Sequence, residues 1–512
     1  MSSHRGAPEV SSCRLLPAHI PNKPLLGLIL SLLSFALACG SSGSSIPITG
    51  TFSKSSLQGN YTFHLYGLDT TGNQYAEAGV FVADGNGNIT SGTDDFSQLG
   101  TGKPLASNPI TGTYSVGNDG NGQITFTLTG IPAPNTFQVA ITLVSTSDLY
   151  MTEVDSFANA AGEATKQDTT AFTTTPSGTF AFRIHNLGST SASLVGAITS
   201  TAGAVSGTLD ELRSGTLHTG VTFTTGSFSA PDTTTGRGTL TFTDSLNIQS
   251  NYIYYVINAS TLELVQTDSN NISLGRMEKQ SGGPYSLSGS YVFGSQGDTT
   301  TILGVRSAGG FTADGISAIT SGVYDSVQDG SQIVDQSFTG TFAATGNGRV
   351  AVTLTPPGAS PISEVFWMVN SGRAFFLIND SIRTEDGTID LQQTSSFNNS
   401  SLKGQYAYVN DGFDSTPQQL TRVGTFIPDG NGNVNLNEVV NAFTPSTGGV
   451  LNTPVVPGTY TVATSGRATA TLTGTTSNID LVIYMVSPSQ AYVIQNDAGV
   501  EISGKMALQV TP

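Results

Sequence analysis

The sequence constrains its own fold most through a fourfold internal repeat. Four segments open alike: SLQGNYTF from Ser56, PSGTFAF from Pro176, SLSGSYVF from Ser286 and SLKGQYAY from Ser401. Their glycines, Gly59, Gly178, Gly289 and Gly404, are spaced by 119, 111 and 115 residues. A second landmark follows in each copy: GTYSV at Gly112, GSFSA at Gly226, GTFAA at Gly340 and GTYTV at Gly458. Each copy closes on a glycine and, five residues later, a glutamine: Gly162/Gln167, Gly275/Gln280, Gly387/Gln392 and Gly504/Gln509. An aromatic residue precedes each copy, at Phe52, Phe172, Tyr285 and Phe397. One structural unit must therefore suit four different sequences.

Inside a unit the hydrophobic period is two. QITFTLT (123–129) sets Ile124, Phe126 and Leu128 on one face and threonines on the other. RVAVTLT and GTLTFT repeat the pattern, as expected of strands with one buried and one wet face. More continuous apolar runs follow: QVAITLV, YIYYVI, VFWMV and LVIYMV. No stretch of the body has a helical period. About eight short strands per unit fit the spacing, and eight strands can remove their open edges by pairing first with last. The expected fold is all-β: four tandem antiparallel domains, each an eight-stranded up-and-down barrel, with a layout like avidin or lipocalin barrels. β-Sandwiches and one eight-bladed propeller are the alternatives. The repeats span 56–168, 176–280, 286–393 and 400–512. Ser/Thr-rich lead-ins such as TTAFTTTPSG read as linkers, so a linear array of domains is expected.

The N-terminus supplies an address. LLGLILSLLSFALA (25–38) is an apolar run of 14 residues behind Lys23, Arg14 and Arg5. It is too short to span a bilayer, which takes ~20 residues, and suits a signal-peptide core. It ends in FALAC and then GSSGSS. This motif resembles the lipobox of bacterial lipoproteins, with Ala38 as the small residue before the cysteine and Ala36 where Leu is commoner. The resemblance implies a signal peptide at 1–38, lipidation of Cys39, and a flexible linker over 39–55. Gly40 in place of Asp after the cysteine implies the outer membrane or cell surface rather than the inner membrane. The repeat pattern over about 56–512 resembles tandem-repeat lipoproteins of bacterial cell surfaces, which implies surface attachment and no particular activity.

Charge and cysteine content narrow the chemistry. The net charge is −17, and −19 once the segment before Cys39 is removed. Nucleic acids and anionic membrane surfaces need clustered Lys and Arg, so neither is an expected partner. On the lipobox resemblance, Cys13 is expected to leave with the signal and Cys39 to carry lipid. No cysteine remains in the body for disulfide, nucleophile or metal.

The run DGNGN occurs at Asp84–Asn88 and Asp429–Asn433. Asp-Gly and Asn-Gly favour hairpin turns. The alternative is a weak calcium site of Asp84, Asn86, Asn88, Asp429, Asn431 and Asn433. Against it, Ile89 and Val434 stand where an EF-type loop needs its sixth-position glycine, and the third and second copies read DGISA and TAGAV. Asp155, Asp268, Asp380 and Asp497 recur after the seventh strand and are expected to cap turns. His64, His185 and His218 share no offset in the repeats, and no G-x-S-x-G elbow or phosphate loop is present. Asp94–Asp95, with Asp210, Asp325 and Glu438 at related places, could in principle pair for glycoside hydrolysis, but are expected to be carboxylates on the surface, facing water. Trp367 reads as core. No cofactor is implied. The expected function is a non-catalytic, lipid-anchored surface protein with a structural, adhesive or binding role toward an extracellular partner. Alternatives are a small-ligand carrier, with an apolar or glycan ligand in each barrel, and a secreted hydrolase.

Overall fold

Alternation in QITFTLT becomes a strand whose Ile124 and Phe126 are buried while Thr125 and Thr127 are half-exposed. The computed structural model describes residues 51–512 apart from 70, 99–104, 131–134, 187–191, 214, 269–270, 284, 300–303, 381–382, 415–417, 443–448 and 475–477. Cys39 and the apolar run before it lie outside the described residues. The first repeat forms β1 (Gln58–Asp69), β2 (Gln74–Asp84), β3 (Asn88–Gln98), β4 (Leu105–Val116), β5 (Asn121–Leu128), β6 (Thr136–Leu143), β7 (Asp148–Glu153) and β8 (Ala158–Lys166). Each pairs antiparallel with the next, and β1 pairs with β8 to close a barrel. The second and third repeats close identically. In the fourth, the first strand pairs with the last and the second with the third. The fourth stave is split into Gly449–Asn452 and Val456–Val462. The protein is thus four closed eight-stranded barrels, neither sandwiches nor propeller blades.

Eight strands leave an interior that side chains can just fill. In barrel one, Phe126 stacks between Phe63 and Phe137, with ring centroids 5.4 and 4.8 Å away. Phe52, Phe172 and Phe397 are buried in the cores of barrels one, two and four, and Tyr285 is half-buried against the third. The lead-ins are therefore packed plugs. The repeated closing glycines sit on the seam: a Cβ on Gly162 would lie 1.8 Å from the His64 carbonyl oxygen, and one on Gly504 lies 1.9 Å from that of Val409.

The barrels do not form the expected linear array. They belong to one compact unit and make a ring. The outer faces of strands two and three of each barrel pack on strands six and seven of the next. Ala78 and Val80 meet Ile253 and Tyr255, Val195 meets Trp367, and Ala308 meets Tyr484. Val423 of barrel four meets Ala140 and Tyr150 of barrel one. A head-to-tail interface of this kind makes a ring when its rotations close. The continuous apolar runs follow directly: one face fills a strand's own barrel and the other seals a joint.

The repeated glutamine is the hook across every joint. Gln167 Nε2 donates to Val256 O at 2.7 Å, Gln280 to Met368 O at 2.7 Å, and Gln392 to Met485 O at 2.9 Å. Gln509 donates to Leu143 O at 2.6 Å and so ties barrel four back to barrel one.

Three joints also hold a buried ion pair. Arg237 Nε and Nη2 donate to Asp95 at 2.7 and 2.8 Å, Arg349 to Asp210 at 2.8 and 2.9 Å, and Arg467 to Asp325 at 2.8 and 2.7 Å. An aromatic donor completes each: the hydroxyls of Tyr255 and Tyr484, and Trp367 Nε1 at 2.8 Å. By register, barrel four has Val439 in place of the aspartate, and barrel one has Gln123 and Ala140 in place of arginine and aromatic. All three partners change together at the closing joint, where Ala140 and Val439 pack in one apolar cluster. Buried Asn159 and Asn441 supply its polar bonds: Asn159 Nδ2 donates to Gln419 O at 2.7 Å, and Asn441 Nδ2 to Glu153 O at 2.6 Å.

Candidate functional site

Closing a ring of four barrels brings the seam of each barrel to a common axis. A cavity of about 360 Å³ lies there, lined by residues of all four barrels. Register shows its construction. The residue after each closing glycine faces it: Glu163, Arg276, Thr388 and Lys505. Opposite these on the first strands stand His64, Arg183, Gly294 and Val409. Two residues further on, the first strands contribute Tyr66, His185, Gln296 and Asp411. The backbone is fourfold, whereas the side chains differ at every turn of the ring. A symmetric scaffold thus carries an asymmetric site.

Ion pairs between barrels surround the axis. Arg276 Nε donates to Glu278 at 3.0 Å, and its Nη1 lies 3.5 Å from Glu163 and 3.6 Å from Glu263. Arg373 Nε donates to Glu278 at 2.7 Å and its Nη1 to Asp390 at 2.6 Å. Arg183 is paired with Asp386, and Lys505 with Glu163. His64 Nδ1 lies 3.1 Å from Glu263, and His185 Nδ1 2.7 Å from Asp386. The Tyr66 hydroxyl lies 2.9 Å from both Gln296 Oε1 and Asp411 Oδ1, and so bridges barrels one, three and four. Burial pushes the Glu163 carboxyl up, but Lys505, His64 and Arg276 outweigh it and hold it well below the usual carboxylate range. Asp386 is likewise held low against burial by Arg183 and His185. Glu278 is lowered against burial by Arg373 and Arg276. Burial and neighbouring Glu163 raise Asp148, which also lines the cavity.

Several sequence-predicted residues sit elsewhere. DGNGN makes a tight turn: Asp84 Oδ1 accepts from the backbone N–H of Asn86 and Asn88 at 2.7 and 3.0 Å, and Asn88 Nδ2 donates to its Oδ2 at 2.7 Å. Gly85 and Gly87 have φ of 80° and 108°, which suits glycine alone. Asp429 with Asn431 and Asn433 repeats these bonds. Asp155 accepts from Gln138 N at 2.9 Å and Asp268 from Asn251 N at 2.9 Å, tying the chain after strand seven to strand six. Asp497 does the same with Asp480 N at 3.2 Å. The side chain of Asp380 lies outside the described residues.

Asp94 and Asp95 are not on the surface. Both are buried and face opposite ways. Asp95 is the joint carboxylate, as are Asp210 and Asp325. Asp94 points into barrel one beside Glu77, and burial raises it to about 8. Glu438, also buried, accepts from the Tyr408 hydroxyl inside barrel four. The pair Asp94–Asp95 therefore shares no cleft. Trp367 is fully buried, but in the joint between barrels two and three instead of its own barrel core. His64 and His185, set aside for want of a shared offset, meet at the axis. The sequence signal for the axial site was the residue after each closing glycine, which reads Glu, Arg, Thr and Lys.

No protein-family model matches the chain, and no curated protein matches it by sequence. Among solved structures, a double mutant of the vaccine antigen transferrin-binding protein B from Haemophilus parasuis Hp5 matches with 11% identity over 65% of this chain and 75% of that one. The TM-score is 0.20.

Proposed function

We propose that this protein is a non-catalytic, lipid-anchored surface protein that binds one small ligand on the ring axis. The observation that supports this reading is a contrast between interiors. The four barrels are packed with their own aromatic and aliphatic side chains, which disfavours a carrier with a ligand in each barrel. The cavity shared by all four is lined by charged and hydrogen-bonding groups. Its size falls within the ~300–1,000 Å³ of small-molecule sites. The rigid joints position those groups in advance, so little ordering cost falls on binding. Cys39 carries the lipid that holds the ring at the cell surface. Native mass spectrometry of the purified protein after exposure to a small-molecule metabolite pool tests the binding. One adduct per chain is expected. Four adducts would return the ligand to the barrels, and none would refute a binding role. Replacement of Cys39 by Ala should move the protein from the membrane to the soluble fraction; membrane retention would refute the anchor.

A further inference from the structure

We propose that the axial pocket takes a small organic anion bearing a carboxylate or phosphate group, with Arg183, Arg276, Arg373 and Lys505 as its donors. This inference rests on the reading of the pocket as the ligand site and adds the ligand's chemical class.

Three observations carry it. First, the cations stand in front of the carboxylates. Side-chain exposure is 24% for Arg183, 28% for Arg373, 31% for Arg276 and 39% for Lys505. The carboxylates that hold them are more buried: 0% for Asp386, 5% for Glu263, 12% for Glu278 and Asp390, and 19% for Glu163. The wall also carries Asp148, Glu163, Glu263 and Asp411, and the cation is the more exposed partner in each of these ion pairs. Second, the forks are aimed. Arg373 is gripped by carboxylates of two barrels, Glu278 and Asp390, and Arg276 by Glu163, Glu263 and Glu278. A guanidinium has five N–H donors, and Arg183 uses its Nε on Asp386, leaving its terminal nitrogens to meet a bidentate acceptor. Third, the cations outweigh burial and keep Glu163, Asp386 and Glu278 ionised, so each pair stays charged at the pocket wall. Four of the chain's 19 basic residues gather at this one pocket. The net negative charge outside the pocket repels polyanions, so the anion is small enough to enter alone. Tyr66 and Gln296 add neutral hydrogen-bonding groups beside the cations, which suits a ligand with hydroxyls as well as its charge.

The test is calorimetric titration of the purified full-length protein with glucuronate, glucose 6-phosphate and glucose at constant ionic strength. Both anions should bind with one site per chain, and glucose should not. Lys505→Met, at the most exposed cation, should weaken anion binding at least about tenfold, as loss of one charge-assisted contact implies. Arg183→Gln should act likewise. Unfolding temperatures without ligand confirm that each variant is folded. Equal binding of glucose and the anions would overturn the anion class while leaving the pocket reading intact. Anion binding that survives both substitutions would place the anion elsewhere and overturn the proposal. Failure of both anions, with a single adduct still seen from the metabolite pool, would also defeat the anion class alone; failure of both experiments would remove the pocket reading as well.

Discussion

The joint between barrels two and three predicts a measurable coupling between Arg349 and Asp210. Asp210 is fully buried and accepts from Arg349 twice, from Trp367 Nε1 at 2.8 Å and from Gly220 N at 3.2 Å. Arg349→Gln leaves that carboxylate in the joint without its cation. Breaking a buried pair costs ~3–5 kcal/mol. Arg349 keeps 23% side-chain exposure, and water reaching the site favours the lower end, about 3 kcal/mol. Asp210→Val leaves the Trp367 N–H buried without an acceptor, while the guanidinium can turn to water; one unmet buried donor costs ~1–3 kcal/mol, so about 2 is expected. Independent effects would make the double variant about 5 kcal/mol less stable. In the double variant no carboxylate is left stranded and only the Trp367 N–H lacks an acceptor, so it should lose only about 2 kcal/mol, a coupling of about 3. The closing joint already has Val439 and Gln123 at the corresponding positions. Equilibrium urea unfolding of the wild type, both single variants and the double variant measures this cycle. Additivity within ~0.5 kcal/mol would refute the claim that the pair acts as one unit across the joint.

Three further outcomes are expected. Asp94, buried in barrel one, titrates at about 8 in the folded chain against an ordinary 3.8. The folded state therefore holds the proton more tightly, and this contribution is complete below pH ~4 and lost as pH rises to about 8. Asp94→Asn should flatten the decline of the unfolding temperature over that window; an unchanged profile would refute the burial argument. Gln509→Ala removes the hook from barrel four to barrel one and should lower stability by ~1–3 kcal/mol, as two hydrogen bonds of ~0.5–1.5 kcal/mol each imply. An unchanged urea midpoint would show that the hook contributes nothing to closure. In the DGNGN turn, Asp84 is held at about 2, chiefly by the Asn88 side chain and then by backbone N–H groups. Its contribution is present above the ordinary carboxylate value and lost as pH falls through about 2. Chelator should leave the unfolding temperature unchanged, whereas a rise on adding calcium would make the turn a cation site.

Much of the barrel was legible because its causes are local. A residue's burial within its own barrel depends on alternation, so QITFTLT announced a one-sided strand. Fourfold repetition showed that four such units existed, and Asp-Gly and Asn-Gly marked turns through the backbone angles they permit. The continuous run VFWMV also carried a signal, since burial on both faces is what it describes. What buries the second face was not written beside it. Trp367 needs Asp210, 157 residues away, and nothing local distinguishes a joint carboxylate such as Asp95 from a solvated one such as Asp84.

The axial site was still less legible. Glu163, Arg276, Thr388 and Lys505 share a place in the repeat but no chemistry, and His64 and His185 occupy neighbouring rows of two different barrels. Their juxtaposition depends on the rotation between successive barrels, a property of whole interfaces. The sequence by itself determined the number of units, the strand pattern and the turns, because these follow from backbone preference and hydrophobic alternation over a few residues. Only the tertiary structure decided that Gln509 reaches back to barrel one, that the joints hold ion pairs, and that four seams meet around one pocket. Closure of a ring is set by the sum of four rigid rotations, and no single segment of chain encodes that sum.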